Sequence, residues 1–489
     1  MAEATSRKPS CASTDDGMAA LHAAFAHVMA TADERFADRE TRALGIANEL
    51  VRAWLETELQ RMAETFDDVV RVDGVPYRKH ATGVKRYHTL VGAIHVRRAS
   101  YREIGRHNGA TAVPLEFAAG IVENATPALA YSVTRGFAER PLRHYEDEMA
   151  AAHREVPSRS TLERIGKRVG TRIREALPVI EPLARAQEAI DPVAQSISIG
   201  LDRTAVPMAE TVDRPPRERT YRRQPPPPVV VAYRMAYVAT LAIHDARGDA
   251  IDSKRFAATA DEGPQELLNR LASEIRHIYA QRGELPLTVI QDGAPELWNL
   301  VDPWLVAHGW TASKLIDRYH VDERLAAVAE AITYDVPHRQ ALYAAWQRQL
   351  DRSDTAMVRI CRRLSTFAIW LVCGATDGDP MPRYWRSRAR RLIDSERGGI
   401  LSENLAYLER YTSKMAYASQ RARGQPIGSG VTEGACKSVI GMRCKRSGQR
   451  WFESGLSPCL RLRSLLLNRR LKACFGHVVA REIASLEAA

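Results

Sequence analysis

An α/β fold, with a mixed sheet and flanking helical regions, is what the sequence predicts, on three observations. Between residues 195 and 320, apolar runs and helical patterns follow the order strand, strand, strand, helix, strand, helix, strand. That order builds a sheet with helices packed against it. Two of the strands end in an acid, at Asp202 and Asp292. Positive charge gathers near the C-terminus: from Lys437 to Lys472, ten basic residues stand against one acid, Glu453, so this segment holds +9 of the chain's formal +11.

At 489 residues, length alone suggests about three domains. The apolar fraction of 45% is ordinary for a globular protein. Met1 to Thr14 is polar and lacks the apolar stretch of a signal sequence, and no run approaches the roughly 18 apolar residues of a membrane span. The expectation is a soluble chain, cytoplasmic and nucleoid-associated, with no membrane partner. Seven cysteines without a Cys-x-x-Cys pair fit reduced thiols better than disulfides or a zinc site. Cys436 and Cys444 are read as small apolar residues. Clustered positive charge points toward nucleic acid.

In chain order, residues 1–14 read as a disordered tail. Residues 15–67 form a helical N-terminal region, because Ala, Leu, Phe and Val recur at helical spacing with only Gly45 interrupting after Ala19. Residues 68–123 contain a small β unit of about three strands, in which Val69–Val72, Tyr87–Val91 and Ala93–Arg98 alternate around Gly74 and Gly92.

Residues 124–190 return to helix. Thr126-Pro127 opens one helix and Arg140-Pro141 separates it from the next. The run from Pro157 to Arg174 carries six basic residues and one Glu. A basic helix after a helix and a turn is how a helix-turn-helix offers a reading element to the major groove. Arg159, Arg164, Lys167 and Arg168 are its candidate DNA contacts, against the plainer reading of a solvated basic face.

Residues 191–320 are the first part of the α/β core. Gln195–Asp202 is a short strand, followed by an Arg- and Pro-rich loop from Arg214 to Pro228. Val229–Ile243 and Ile251–Phe256 are strands around the turn at Arg247-Gly248-Asp249. Helices near 263–282 and 295–307 flank the strand from Pro286 to Asp292, and Thr311–Ile316 is the last strand. Residues 321–423 read as a helical insertion, interrupted by the loop Gly374–Pro382. Its Tyr384–Arg391 segment mixes aromatic and basic side chains. Residues 424–489 return to the core as helices, with Ser429 placed to cap the helix that holds Glu433 in its first turn.

Strand ends of this kind are where open α/β sheets bind ligands. A hard cation takes oxygen ligands, and two Asp with a Glu from an adjoining helix could hold two Mg²⁺. Such a pair activates an attacking hydroxyl and stabilises the leaving oxygen of a phosphodiester displacement. Each acid taken alone also reads as an ordinary turn former or, for Glu433, a favourable partner for the helix dipole.

The motifs Ser198-Ile-Gly-Leu-Asp202-x-Thr-x-Val-Pro-Met208, Ile290-Gln-Asp292-Gly-Ala294-x-x-x-Trp298, Ile316-Asp317-x-Tyr-His320 and Ile427-Gly-Ser-Gly430-x-x-Glu433-x-x-Cys-Lys437 resemble those of one protein family. Arg443-x-Lys445-x-Ser-Gly448-x-Arg450-Trp451 extends the likeness, as do Pro114–Val122 and Pro157–Leu162. The chain is similar, over roughly residues 70–475, to bacterial insertion-sequence transposases with a DDE triad on a ribonuclease-H-like fold, the Kra-type insertion-sequence (ISKra) group.

The resemblance implies a ribonuclease-H-like mixed sheet with a helical insertion and a mainly helical N-terminal DNA-binding region. It implies Asp202, Asp292 and Glu433 as a catalytic, metal-binding triad using two Mg²⁺ or Mn²⁺ ions per site. Lys437, Arg443, Lys445, Arg446 and Arg450 would contact phosphates. Asp317, His320 and Trp451 are auxiliary candidates, with a strand-end hydrogen bond as the alternative for His320 and a core position as the alternative for Trp451. The implied partners are double-stranded DNA, as terminal inverted repeats and as target, and further copies of the chain, at least a dimer. Competing functions are a structure-selective nuclease on the same fold and a catalytically decayed DNA-binding repressor. The group usually has Gly after the first Asp, where this chain has Arg203. Many relatives carry a Cys pair in the N-terminal β unit; Arg102–Gly109 has none, so no zinc ribbon is expected.

Overall fold

The computed structural model describes residue 26 and residues 35–212, 228–373 and 396–488. The N-terminal tail, the start of the first helical region, the Arg- and Pro-rich segment up to residue 227, the loop Gly374–Pro382 and the Tyr384–Arg391 segment lie outside the described residues. Two compact units are present: Met1–Val169 with Phe475–Ala489, and Gly170–Cys474.

In the first unit, helix α1 (Phe36–Ala63) buries Leu59 in a small core with Tyr87, Ile94, Val96, Leu115 and Ile121. Strands β1 (Val69–Val72), β2 (Val75–Thr89), β3 (Gly92–Glu103) and β4 (Thr111–Ala112) follow. β1 and β2 join through Asp73-Gly74, both at positive φ (49° and 75°), the two-residue hairpin whose twist matches the strands it connects. A C-terminal strand pairs with the free edge of β1, at Val70↔Ala488 and Val72↔Leu486. The sheet therefore has five strands where the sequence suggested about three. Short helix α2 (Pro114–Ala118) precedes α3 (Pro127–Glu139), α4 (Leu142–Ala151) and the start of α5 (Arg159–Ala186). Glycine lets these three helices approach closely: a β-carbon at Gly136 would collide with the Tyr145 ring, and one at Gly166 would lie 2.7 Å from Phe137 Cγ.

The second unit holds β5 (Ser196–Thr211), β6 (Val229–His244), β7 (Ala250–Ala258), α6 (Gln265–Arg282), β8 (Leu287–Gln291), α7 (Pro295–His308) and β9 (Ala312–Ile316). The sheet order is β7-β6-β5-β8-β9. β6 is antiparallel to both neighbours, and β8 and β9 are parallel to β5. Three strands joined by hairpins, then two parallel strands reached through helices, make a ribonuclease-H-like mixed sheet. The predicted element order holds throughout, but β5 runs nine residues beyond Asp202, so that acid stands within a strand and not at its end. Ile197, Ile199, Leu201, Leu241, Ile275 and Val289 lie in one continuous apolar core.

The helical insertion comprises α8 (Arg318–Ile332), α9 (Val336–Arg352), α10 (Ala356–Cys373), α11 (Glu396–Arg410) and α12 (Tyr417–Ala422). The chain then returns through α13 (Gly430–Ala435), a π-helical stretch (Cys436–Gly441), α14 (Glu453–Leu467) and α15 (Leu471–Ala484), before the C-terminal strand β10 (Leu486–Ala488). No described helix is long and apolar enough to cross a membrane.

Four of the ten basic residues in the C-terminal run are internal. Arg443, Arg461, Arg463 and Arg470 are all buried. Arg461 pairs with Glu262 and Glu266, Arg463 donates to the Ser438 carbonyl, and Arg470 pairs with Glu188 and Glu274. Buried charge demands such partners, so charge counted along the sequence overstates the positive surface.

Candidate active site

Strand register brings the first two acids together. β5 and β8 pair in parallel at Ile197↔Leu287, Ser198↔Thr288 and Ile199↔Val289. Carried three residues further, the same offset sets Asp202 abreast of Asp292. β8 and β9 pair up to Gln291↔Ile316, so Asp317 continues the same row. Asp202 lies near enough for its charge to act on the Asp292 carboxyl, while Asp317 turns to Ser429.

Each has a different environment. Asp202 Oδ1 accepts from the Arg203 amide at 2.6 Å, and its Oδ2 accepts from the Cys436 thiol at 3.0 Å. Asp292 Oδ1 accepts from the Ala294 amide at 3.0 Å, and its carbonyl accepts from Trp298 Nε1 at 3.0 Å. Trp298 is buried and anchors this turn. Burial pushes the Asp292 carboxyl up from its usual range; the Asp202 charge adds to the rise, while the Ala294 amide and His320 oppose it. Asp317 is buried, accepting from the Tyr319 amide and the Ser429 hydroxyl. It tethers the segment leading to Glu433, together with the Arg318 amide, which donates to the Ile427 carbonyl.

That tether corrects the expected cap. Ser429 makes no side-chain hydrogen bond to its own helix, because its hydroxyl is engaged by Asp317 across the turn. The helix is held on the sheet instead by Thr432, whose hydroxyl meets that of Thr240 at 2.6 Å. Gly200 permits the approach, since a β-carbon there would collide with Thr432. One turn after Glu433, Cys436 reaches Asp202, so it is not the plain apolar filler expected; Cys444 is fully buried, with its thiol against that of Cys459.

Glu433 sits on this helix half-exposed, and its carboxylate bonds Lys437 Nζ at 2.7 Å. The Lys437 hydrogen bond and charge hold its carboxyl below the usual range, with a smaller contribution from His320. His320 therefore acts on Asp292 and on Glu433 alike, and it bonds Glu323 through Nδ1 at 3.2 Å. An open cleft of ≈ 640 Å³ beside Asp292 is lined by His320, Glu323, Arg324, Asn404 and Tyr407. The described residues contain no cluster of three or more His, Cys, Asp or Glu side chains spaced to hold a metal ion. The paired aspartates offer the oxygen donors that a hard cation takes, and Glu433 stands apart from them with Lys437.

Arg203 pairs with Glu296 at the start of α7, which answers its charge locally. Trp451 takes the core position: it is buried, donates from Nε1 to the Cys444 carbonyl at 3.2 Å, and bridges β5 through backbone bonds to Pro207 and Ala209. Arg443 lies over its ring at 4.6 Å, buried, and is thereby removed from the expected phosphate contacts. Lys437, Lys445, Arg446 and Arg450 remain exposed, Lys445 bonding Thr204 and Arg446 the Met442 carbonyl.

In the first unit, the four basic residues predicted to read DNA are surface groups, each paired with an acid. Arg159 bonds Glu146 at 2.7 Å, Arg164 bonds Glu123 at 2.9 Å, Lys167 bonds Glu163 at 2.6 Å and Arg168 stands 4.0 Å from Glu123. Exposed pairs of this sort contribute about 0–1 kcal/mol, so phosphate can displace the acids. Sequence reasoning passed over Thr432 and Cys436 as working residues; their i−1 and i+3 spacing from Glu433 was the available signal.

No family model matches the chain, and no curated protein matches it. A similar solved structure is the Drosophila P element transposase strand transfer complex, at 12% sequence identity and a TM-score of 0.31, covering 71% of this chain and 92% of that chain. The fold assignment rests on strand order and crossovers, not on that likeness.

Proposed function

We propose that the chain is a DNA transposase of the DDE type, with Asp202, Asp292 and Glu433 as its metal-binding carboxylates. The observation that supports it is the shared register of Asp202 and Asp292, with the Glu433 helix fastened to the same sheet through Thr432 and the Asp317–Ser429 bond. Membership of the Kra-type insertion-sequence group rests on the sequence motifs alone.

In this reading two divalent cations, Mg²⁺ or Mn²⁺, would supply Lewis-acid stabilisation of the attacking and leaving oxygens. The chain's own part is positional. Arg203 N–H orients the Asp202 carboxylate, while the Ala294 amide and Trp298 fix Asp292. Glu433 must part from Lys437 to join them, an exchange across an exposed pair that costs about 1 kcal/mol or less. Lys437, Lys445, Arg446 and Arg450 would hold the DNA backbone, and α5 with Arg159, Arg164, Lys167 and Arg168 would read the element ends. Incubation with end-containing oligonucleotides and Mn²⁺ tests the reading: 3′-end cleavage and joining to a second duplex are expected. Nicking without joining would point to a nuclease instead. A non-catalytic DNA-binding role is the second reading, favoured by the Glu433–Lys437 pair; metal-independent binding with no cleavage would select it.

A further inference from the structure

β5 and β6 are each 16 residues long, against nine for β7 and five for β8. β7 parts from β6 at Tyr237↔Ala258, and β8 parts from β5 at Ile199↔Val289. What remains beyond Tyr237 is a two-stranded arm, paired from Thr204↔Ala236 to Thr211↔Val229. Its β5 edge is met by Trp451. Its β6 edge, from Val229 to Met235, pairs with no other strand among the described residues.

That edge is strongly apolar. Val229, Val231, Tyr233 and Met235 are 37%, 49%, 73% and 43% exposed, and as alternate strand residues they share one face. Val230, on the other face, is also exposed. Unpaired edges are ordinarily guarded by lysine, proline or a bulge. Between Val229 and Met235 none of these occurs; Arg234 is the sole charge there, and it reaches back to Glu210 at 2.6 Å.

We propose that this edge pairs antiparallel with the same edge of a second copy of the chain, about a two-fold axis at Ala232. Val229 then faces Met235 of the second copy, Val231 faces Tyr233, and Ala232 faces itself. Odd residues meet odd residues, so the apolar stripe runs unbroken across both copies, and cross-strand pairs of this type stabilise a sheet. A one-residue slip would set the stripe against the opposite face, and a two-residue slip would leave an exposed apolar residue of each copy unmatched. Charge fits as well. Arg234 of the second copy falls opposite Val230, whose neighbour on β5 is Glu210, so each guanidinium lies within reach of a carboxylate from both copies.

The inference does not depend on the catalytic reading, and Asp202→Asn or Asp292→Asn should leave the dimer intact. The test uses the full chain without DNA or metal. Sedimentation should give twice the chain mass, and Val231→Lys with Tyr233→Lys, both at exposed positions, should halve it. Directly opposed antiparallel residues have Cα atoms about 4.5–5.5 Å apart, inside the disulfide range of about 4.4–6.8 Å. Ala232→Cys should therefore cross-link to itself on mild oxidation, identified by peptide mapping. Val229→Cys should not, being about 20 Å from its counterpart. A monomeric parent, a dimer that survives the double Lys change, association that appears only with DNA, or equal cross-linking at both cysteines would each overturn the proposal.

Discussion

Gly200→Ala perturbs a point of close approach between the Glu433 helix and strand β5. The new β-carbon would lie 2.8 Å from the Ile290 carbonyl oxygen and 3.2 Å from Thr432 Cβ, and closer still to the Thr432 hydroxyl, where ordinary contact begins at 3.4 Å. The Ile290 oxygen belongs to the backbone of a neighbouring strand and would have to give by about 0.6 Å. Overpacking of this kind costs about 1–3 kcal/mol. Displacing Thr432 also breaks its buried bond to Thr240, and a stranded hydroxyl adds about 1–3 kcal/mol. The expected loss is on the order of 2–6 kcal/mol in urea unfolding followed by tryptophan fluorescence. Thr432→Ala should cost less alone and should recover about 1 kcal/mol in the Gly200→Ala background, because it removes part of the collision. A Gly200→Ala protein within 0.5 kcal/mol of the parent, or strict additivity with Thr432→Ala, would refute the close approach.

Four further outcomes follow from the same geometry. Arg470→Met should destabilise the second unit by about 3–5 kcal/mol in the same urea assay, since it removes the central cation of a buried network and leaves Glu274 only Arg185 and Glu188 only Lys254 among the described residues. Burial alone would raise the Glu181 carboxyl, but the Arg270 charge and hydrogen bond, with Arg470 and Arg185, hold it below the ordinary range. Its contribution is therefore present above the unfolded carboxylate value and is lost as pH falls through the lower folded value; acid titration should show a shallower decline in Glu181→Gln. Trp451→Ala should lower stability by about 3–5 kcal/mol in thermal melts without DNA, whereas loss of a side chain used only in an auxiliary site role would spare the fold. Lys437→Met should tighten Mn²⁺ binding by up to about fivefold, as loss of an exposed pair worth about 1 kcal/mol or less frees Glu433.

Much of the core was readable because punctuation and periodicity agreed there. Gly248 marks the β6–β7 turn, Gly283 and Gly309 end α6 and α7 at positive φ, and the strands between are apolar runs. The second half of β5 was missed because Arg203–Thr211 mixes polar and apolar residues without the clean alternation that buries one face. β10 was invisible, since three residues carry no period and their partner β1 lies about four hundred residues earlier. Charge misled for a related reason: Arg461 and Arg470 look like surface residues until their acids arrive from α5, α6 and the segments beside them. At the site, the two aspartates were legible as strand acids, but the Cys436–Asp202 bond depends on how α13 seats against β5. Helical spacing sets Cys436 near Glu433, but only the packed sheet supplies Asp202 as its partner.

Calorimetric titration of Mn²⁺ into the parent chain and into Asp202→Ala, Asp292→Ala and Glu433→Ala bears most directly on the proposed triad. Saturable binding in the parent, abolished by either aspartate change and weakened at least tenfold by Glu433→Ala, is the expected result. Binding that is unaltered in Glu433→Ala, or absent from the parent, would contradict it.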